Sequence, residues 1–318
     1  MESEVRKRIK YAGDLLPFLE LMCREYSIGD YKEHQIVKVG YEDFNLILQT
    51  SEDKFFVKIF ADFRTDDESR QYAERISASI KAGVNHPKII ESPQGGPYIK
   101  EFGGYKFRLI IIEYIDGLSF FESNVPRSEE EKRFIVKQAS IINSMDFKPP
   151  FIYDAWAIVN FAKEFQKVKD HLSNENLVVI EPLVEKFNEI PLNDLPHCFV
   201  HGDIMTTNVV KGKDGSLYII DFGCSNYYPR IIELVVLLCD FLFDQANTSN
   251  EENIQLAIDE YQKIIKLTEQ ELEILPALIK IGFAMYLICG IYEREVRNNH
   301  KAENDYWIKL GMLGLEIK

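Results

Sequence analysis

Positive charge is scarce in this chain. Only 37 Lys and Arg stand against 51 Asp and Glu among 318 residues, a formal net charge of -14, and this balance argues against nucleic acid, whose phosphates are attracted by Lys and Arg patches. A cationic partner suits it better. The five cysteines, Cys23, Cys198, Cys224, Cys239 and Cys289, are odd in number, widely spaced and free of any Cys-x-x-Cys pair. That leaves neither a disulfide framework nor a zinc site, and fits a reducing cytoplasm. The segment Met1 to Tyr11 is charged and lacks the apolar core of a signal peptide. The strongest apolar runs, Ile231 to Phe243 and Ile281 to Tyr292, are too short to span a bilayer, and Glu233 and Asp240 interrupt the first. Both read as core helices, and the expectation is a cytoplasmic protein without membrane contact. No internal repeat or low-complexity linker is visible.

With 46% hydrophobic and 28% charged residues the chain can build proper cores, and its length calls for two domains or lobes. The most informative stretch is His201-Gly202-Asp203-Ile204-Met205-Thr206-Thr207-Asn208, followed by Ile219-Ile220-Asp221-Phe222-Gly223. Phosphoryl transfer needs an Asp to accept a hydroxyl proton and, five positions on, an Asn that turns back to a metal ion; Asp203 and Asn208 have that spacing. A second carboxylate must face the same metal from the end of a neighbouring strand, and Asp221 suits it. Between them Val209 to Lys211 and Ser216 to Ile220 read as strands of a hairpin turning at Asp214-Gly215. The hairpin is expected to hold both metal ligands on one rigid unit. His201 reads as a structural histidine bonded to the Asp221 turn, and Arg230 and Glu233 as a structural pair.

Upstream, residues 1 to about 30 show helical spacing through Leu15, Leu16, Phe18, Leu19, Leu21 and Met22, with a bracing role. Ile36 to Gly40, Phe44 to Gln49 and Lys54 to Phe60 then read as strands. Lys58 alternates inside the apolar strand Phe55 to Phe60 and must point where its neighbours do not. On a third strand ahead of the catalytic loop, its ammonium is best explained as pairing with ATP phosphates. Such a lysine is usually oriented by a carboxylate on the next helix, predicted over Asp66 to Ala82. Glu68 shares the face of Tyr72 and Ile76, whereas Glu74 projects roughly opposite, so Glu68 is favoured and Glu74 stays open.

Gly40 to Asn45 occupies the place of a phosphate-covering loop, yet with one glycine an ordinary hairpin fits as well. Strands at Lys88 to Ile90, Tyr98 to Lys100 and Arg108 to Ile112 complete the sheet. Glu113-Tyr114-Ile115-Asp116-Gly117 ends it, at the position of a hinge whose backbone, at Glu113 and Ile115, would meet the adenine edge. From Ser128 the pattern is helical: Glu129 to Met145, Tyr153 to Leu172, Leu177 to Phe187, Ile231 to Phe243, Glu252 to Lys266, Glu269 to Ile279, Gly282 to Asn298 and Asp305 to Leu315. Asp240, Asp244, Asp259, Glu260, Glu293 and Glu295 read mostly as solvated faces, a few as acceptor-pocket candidates. The fold class is α+β, with a mostly antiparallel β amino-terminal lobe over 1-115 and a mainly helical carboxy-terminal lobe over 116-318. The segment after Asp221 is too short for a protein kinase's activation segment, and Gly202 stands where His-Arg-Asp has its arginine. A small-molecule acceptor follows.

Taken together, His201-Gly202-Asp203 through Asn208 and Ile220-Asp221-Phe222 resemble the aminoglycoside phosphotransferase and choline kinase-like superfamily. The resemblance implies a two-lobed protein-kinase-like fold, ATP or GTP with Mg2+, and acceptors such as aminoglycosides, choline, ethanolamine or homoserine. It gives Asp203 the base role, Asn208 and Asp221 the metal, and Lys58 the donor phosphates. Gly40 to Asn45 is similar to that superfamily's reduced phosphate loop, with bulky Tyr41-Glu42-Asp43 where small residues are common, and Glu233 stands where many members carry Asp. A cationic aminoglycoside is the first expectation and a choline, ethanolamine or homoserine-type metabolite the second. A catalytically inactive kinase-like binding protein is the reading of another class.

Overall fold

The computed structural model describes residues 7-37, 43-245 and 250-316. They form two compact units: Met1–Gly117 with Gly212–Ile220, and Leu118–Lys211 with Asp221–Lys318.

In the first unit, helix α1 (Leu16–Tyr26) has Pro17 in its first turn and ends at Ser27 in the left-handed region. Strands β1 (Tyr31–Val37), β2 (Phe44–Thr50) and β3 (Lys54–Ile59) follow, then helix α2 (Asp66–Lys81), β4 (Ile89–Ile90), β5 (Tyr98–Phe102) and β6 (Tyr105–Glu113). The sheet is antiparallel in the order β1-β2-β3-β6-β4, with β5 also paired to β6. Its period-two pattern decides what each face carries. Phe44, Leu46, Leu48, Phe55, Val57, Ile59, Leu109 and Ile111 bury one face against Phe18, Leu19 and Met22 of α1, so the leading helix does brace this sheet. The other face carries Lys58, opposite Asn45 on β2 and Ile110 on β6.

The second unit is mainly helical. Strand β7 (Gly117–Ser119) leads into α3 (Phe120–Ser123); α4 (Glu129–Asn143), α5 (Phe161–Val168) and α6 (Asn174–Glu189) come next. Ser128 caps α4 in a capping box with Glu131, as its placement ahead of the apolar stripe suggests. Strand β8 (His197–Val200) pairs antiparallel with β11 (Asn226–Pro229), so the entrance to the 201-208 loop and the exit of the 221-223 turn are tied together. Between them in the chain lie β9 (Val209–Gly212) and β10 (Leu217–Ile219), whose turn is closed by the Gly212 N–H donating to Ser216 O at 2.8 Å. Residues Gly212–Ile220 belong to the first unit and both Asn208 and Asp221 to the second. Asn208 directly precedes β9 and Asp221 follows β10, as expected of residues at the two ends of one hairpin, and the β8/β11 pair ties together the chain that flanks them.

Helix α7 (Ile231–Cys239) is buried on every side, as a helix apolar all round must be. After α8 (Glu251–Tyr261), one helix α9 runs Glu269–Ile291 where the sequence suggests two. Gly282 does not break it; a Cβ there would meet Cys239 Sγ at 2.6 Å, so the glycine admits α7 to close contact. The helical stretch Glu269–Val296 is long and apolar enough to cross a membrane, but most of that window is buried inside this unit. Helix α10 (Ala302–Glu316) packs along it.

Candidate active site

The loop from His201 to Asn208 is held from beneath by α7. Gly202 has φ +78°, a conformation that favours glycine and explains why no arginine stands there. It turns the His201 and Gly202 N–H groups onto Glu233, which accepts them at 2.6 and 3.1 Å and also receives Asn143 Nδ2 at 3.1 Å. Asn143 is itself fixed by Phe199 O at 2.9 Å and by the Tyr261 hydroxyl, which donates to its Oδ1 at 2.8 Å. Seven residues on, Asp240 accepts the Thr206 N–H, the Thr206 hydroxyl at 3.2 Å and the Tyr306 hydroxyl at 3.1 Å. Two buried carboxylates, Glu233 within α7 and Asp240 directly after its last residue, clamp the loop near both ends. Burial raises both carboxyls, Glu233 to about 7, against the bonds that favour the charged forms.

Sequence reasoning placed these two acids differently. Arg230 pairs with Glu271, through Nε and Nη2 at 2.8 Å each, and not with Glu233. Asp240 and Glu260 are buried rather than solvated. An acid inside an otherwise apolar run was the available signal, because a buried carboxylate needs donors waiting for it.

On the clamped loop, the Asp203 N–H donates to His201 Nδ1 at 3.2 Å. The His201 ring lies edge-on to Phe222 with centroids 4.4 Å apart, so this histidine meets the Asp221 turn through an aromatic contact. Asn208 Nδ2 donates to Asp203 Oδ2 at 2.6 Å and to Asp203 O at 3.0 Å. Asp221 sits in the left-handed region at φ 66°, with its Oδ1 accepting the Gly223 N–H at 3.3 Å. Such backbone strain in a non-glycine residue persists only where surroundings enforce it. Burial, then the charges of Asp221, Asp154 and Asp240, lift the Asp203 carboxyl well above the usual range, opposed by the Asn208 bond.

These groups fit a magnesium ion by donor chemistry. Asn208 spends its amide nitrogen on Asp203, so its oxygen would be the ligand atom, and Asp221 would supply a carboxylate. Magnesium uses one or two protein oxygens together with substrate phosphates rather than a closed protein cage. No cluster of three or more His, Cys, Asp or Glu that could hold a metal stands among the described residues.

In the first unit, Lys58 is buried, with its Nζ 3.4 Å from Asp43 Oδ2 and 4.9 Å from the centre of the Tyr72 ring. Glu68 is not its partner. Its carboxylate accepts the Thr65 N–H at 2.6 Å and the Thr65 hydroxyl at 2.9 Å, closing a capping box at the start of α2, and Glu74 is exposed. The motif Thr65-Asp66-Asp67-Glu68 announces that box, and Glu68's apolar-face spacing obscured it. Asn45 lies within β2 rather than on a loop, its Oδ1 buried without a hydrogen-bond partner among the described residues. Gly40 lies outside the described residues. Glu113 ends β6, with its N–H donating to Lys88 O at 2.9 Å, and Ile115 follows the end of that strand.

An antiparallel sheet bearing a buried lysine and a helical unit carrying Asp203, Asn208 and Asp221 on a clamped loop describe a kinase-like phosphotransferase. The chain belongs to the phosphotransferase enzyme family, whose profile matches residues 33–267. It is 24% identical over 297 residues to the homoserine kinase of Bartonella henselae, covering 89% of this chain and 86% of that protein. The homoserine kinase of Parvibaculum lavamentivorans is 20% identical, with 86% and 85% covered. Among solved structures, an amicoumacin kinase in complex with AMP-PNP and Ca2+ superposes with a TM-score of 0.69 at 14% identity, covering 99% of this chain and 96% of that one. A spectinomycin phosphotransferase in complex with ADP and spectinomycin gives 0.68 at 14%, covering 96% and 99%. The fold is protein-kinase-like, and the protein is a small-molecule kinase.

Proposed function

We propose that the protein transfers the terminal phosphate of ATP to the hydroxyl of a small amino alcohol of the homoserine kind. The observation that carries it is the contact of Asp203 with Asn208 at 2.6 Å on a loop pinned by Glu233 and Asp240, with Asp221 charging the same place. In this reading Asp203 receives the acceptor's hydroxyl proton, Asn208 and Asp221 hold magnesium, and Lys58 takes donor phosphates. Magnesium, when bound, neutralises charge on the transferring phosphoryl group. The protein's own contribution is alignment of hydroxyl and phosphate, because a loose transition state asks for little covalent chemistry. Glu113 and Ile115 offer backbone groups for the adenine edge.

The acceptor's amine follows from charge. Asp154 and Asp240 act on Asp203 alongside Asp221, whose charge magnesium would take up, and the remaining negative charge suits an acceptor's ammonium better than a neutral sugar. Relatives named homoserine kinase that span most of this chain point the same way within that class. An aminoglycoside is the second reading, supported by the spectinomycin phosphotransferase's likeness in fold.

The test is acceptor-dependent ADP release from ATP or GTP with Mg2+ across homoserine, choline, ethanolamine and an aminoglycoside. Release at least about tenfold above the acceptor-free rate is expected for homoserine, a modest share of what positioning can contribute. Uniform low release would overturn the proposal. Independently, Mg·ATP should raise the melting temperature, since a ligand at 100 times its Kd stabilises by about 2.7 kcal/mol. The part of that shift that depends on Mg2+ should vanish in Asp221→Ala; a shift unchanged by the substitution would remove Asp221 from the metal site.

A further inference from the structure

We propose that Asp43 is the positioning residue for Lys58, in the role expected of a carboxylate on α2; the inference rests on the phosphotransferase reading above. Lys58 is 6% exposed on β3, and an ammonium so far removed from water requires a fixed counter-charge. Helix α2 does not supply one from its two candidate acids, because Glu68 is turned back onto Thr65 and Glu74 faces solvent. Asp43, directly ahead of β2, is 5% exposed and does.

Its two oxygens have divided duties. Oδ1 accepts the Ala61 N–H at 3.0 Å and Arg64 Nε at 2.9 Å, while Arg8 Nη1 donates to the Asp43 carbonyl at 2.9 Å. The first two bonds hold the carboxylate through Oδ1, the third holds the main chain of Asp43, and Oδ2 faces Lys58 Nζ at 3.4 Å. Lys58 and Ala61 flank the end of β3, so anchor, carboxylate and ammonium share one strand junction. In the familiar arrangement a lysine's partner rides on a helix, and the pair forms or breaks as the helix moves. Here the pair is built into the sheet. Lys58 is therefore set before nucleotide arrives by a carboxylate outside α2, with Tyr72 of α2 packed against its ammonium.

A double-mutant cycle on the full chain tests this, using Asp43→Asn, Lys58→Ala, their combination and Glu68→Gln. Mg·ATP affinity is read by calorimetry, and turnover by ADP release with the best acceptor of the panel. Asp43→Asn should lower kcat about 100-fold, the scale of an ångström's misplacement of a reacting group. In the Lys58→Ala background the same change should cost no more than about twofold, since two residues acting through one contact are not additive. Glu68→Gln should lower the melting temperature and keep kcat within about twofold. Multiplying effects in the double variant, or an Asp43→Asn kcat near the parent's, would overturn the proposal. If Asp43→Asn does not fold, Asp43→Glu keeps the charge while displacing the ammonium and should show the same fall in kcat. A parent chain that releases no ADP refutes the phosphotransferase reading and this one with it, whereas an active parent with an indifferent Asp43 refutes this one alone.

Discussion

Asp203→Asn is expected to yield a protein that binds Mg·ATP with nearly the parent's affinity, turns over about 1,000-fold more slowly, and melts at a higher temperature near neutral pH. The rate follows from loss of the group that takes the acceptor's proton, a contribution of about 10²–10⁴ for a well-placed base. The gain in stability follows from the surroundings. Burial, Asp221, Asp154 and Asp240 lift the Asp203 carboxyl well above its ordinary value, so the folded state prefers it protonated. Its stabilising share is present below the unfolded-state value and is lost as pH rises through the folded one. Near neutrality the parent bears the cost of a desolvated carboxylate among like charges, and the neutral amide does not. A rise of a few degrees corresponds to about 1 kcal/mol in a chain of this size. Turnover and melting curves at pH 7.5 and pH 4.5 check both halves: the stability gap should narrow at the lower pH. Full turnover of an accepted substrate by the variant would remove Asp203 from the role.

Much of the site was legible because its information is local. Asp203 to Asn208 is one loop, Asp221 closes one strand, and the Ser128 cap lies within four consecutive residues, whereas the equally local box at Thr65 was hidden by the apolar-face spacing of Glu68. Lys58 stood out for a related reason, since alternation along a strand sends it to the face away from the α1-packed core. What stayed hidden was non-local. Asp43 meets Lys58 and Arg64 across 15 and 21 residues of chain, and no spacing rule connects a strand's first turn to its neighbour's far end. Glu233 and Asp240 looked like interruptions of an apolar run, although each is there to receive backbone N–H groups more than 30 residues away. The stretch read as two helices, Glu269 to Ile279 and Gly282 to Asn298, runs unbroken through Gly282, because sequence cannot distinguish a flexible glycine from one that lets α7 approach.

That hidden clamp carries the second large expectation: Glu233→Ala should cost about 100-fold in kcat although the side chain touches no reactant, because a loop displaced by an ångström misplaces Asp203. Three donors, the N–H groups of His201 and Gly202 and the amide of Asn143, would lose their acceptor, at about 1–3 kcal/mol for each one left buried and unpaired. Protein instability and slow turnover would then arrive together, so Glu233→Gln at varied pH is the sharper experiment. Burial raises this carboxyl to about 7 from an ordinary 4.5. Above about 7 it is ionised and accepts from all three donors; as pH falls through that value it gains a proton and one oxygen turns donor. The parent's kcat should therefore fall on the acid side of neutrality. Stability runs the other way over the same window, because the folded state takes up a proton there that the unfolded state does not. Below 4.5 that contribution is complete, and it is lost as pH rises through about 7. Glutamine cannot titrate, so its variant should lose the acid limb assigned to Glu233 while running about tenfold below the parent at pH 8, having an amide nitrogen where one loop N–H needs an acceptor. An acid limb unchanged in the glutamine variant would assign it to another group and reduce Glu233 to packing. A limb that disappears, with kcat lowered and the Mg·ATP affinity unchanged, would show that the buried helix beneath the loop sets the alignment on which transfer depends.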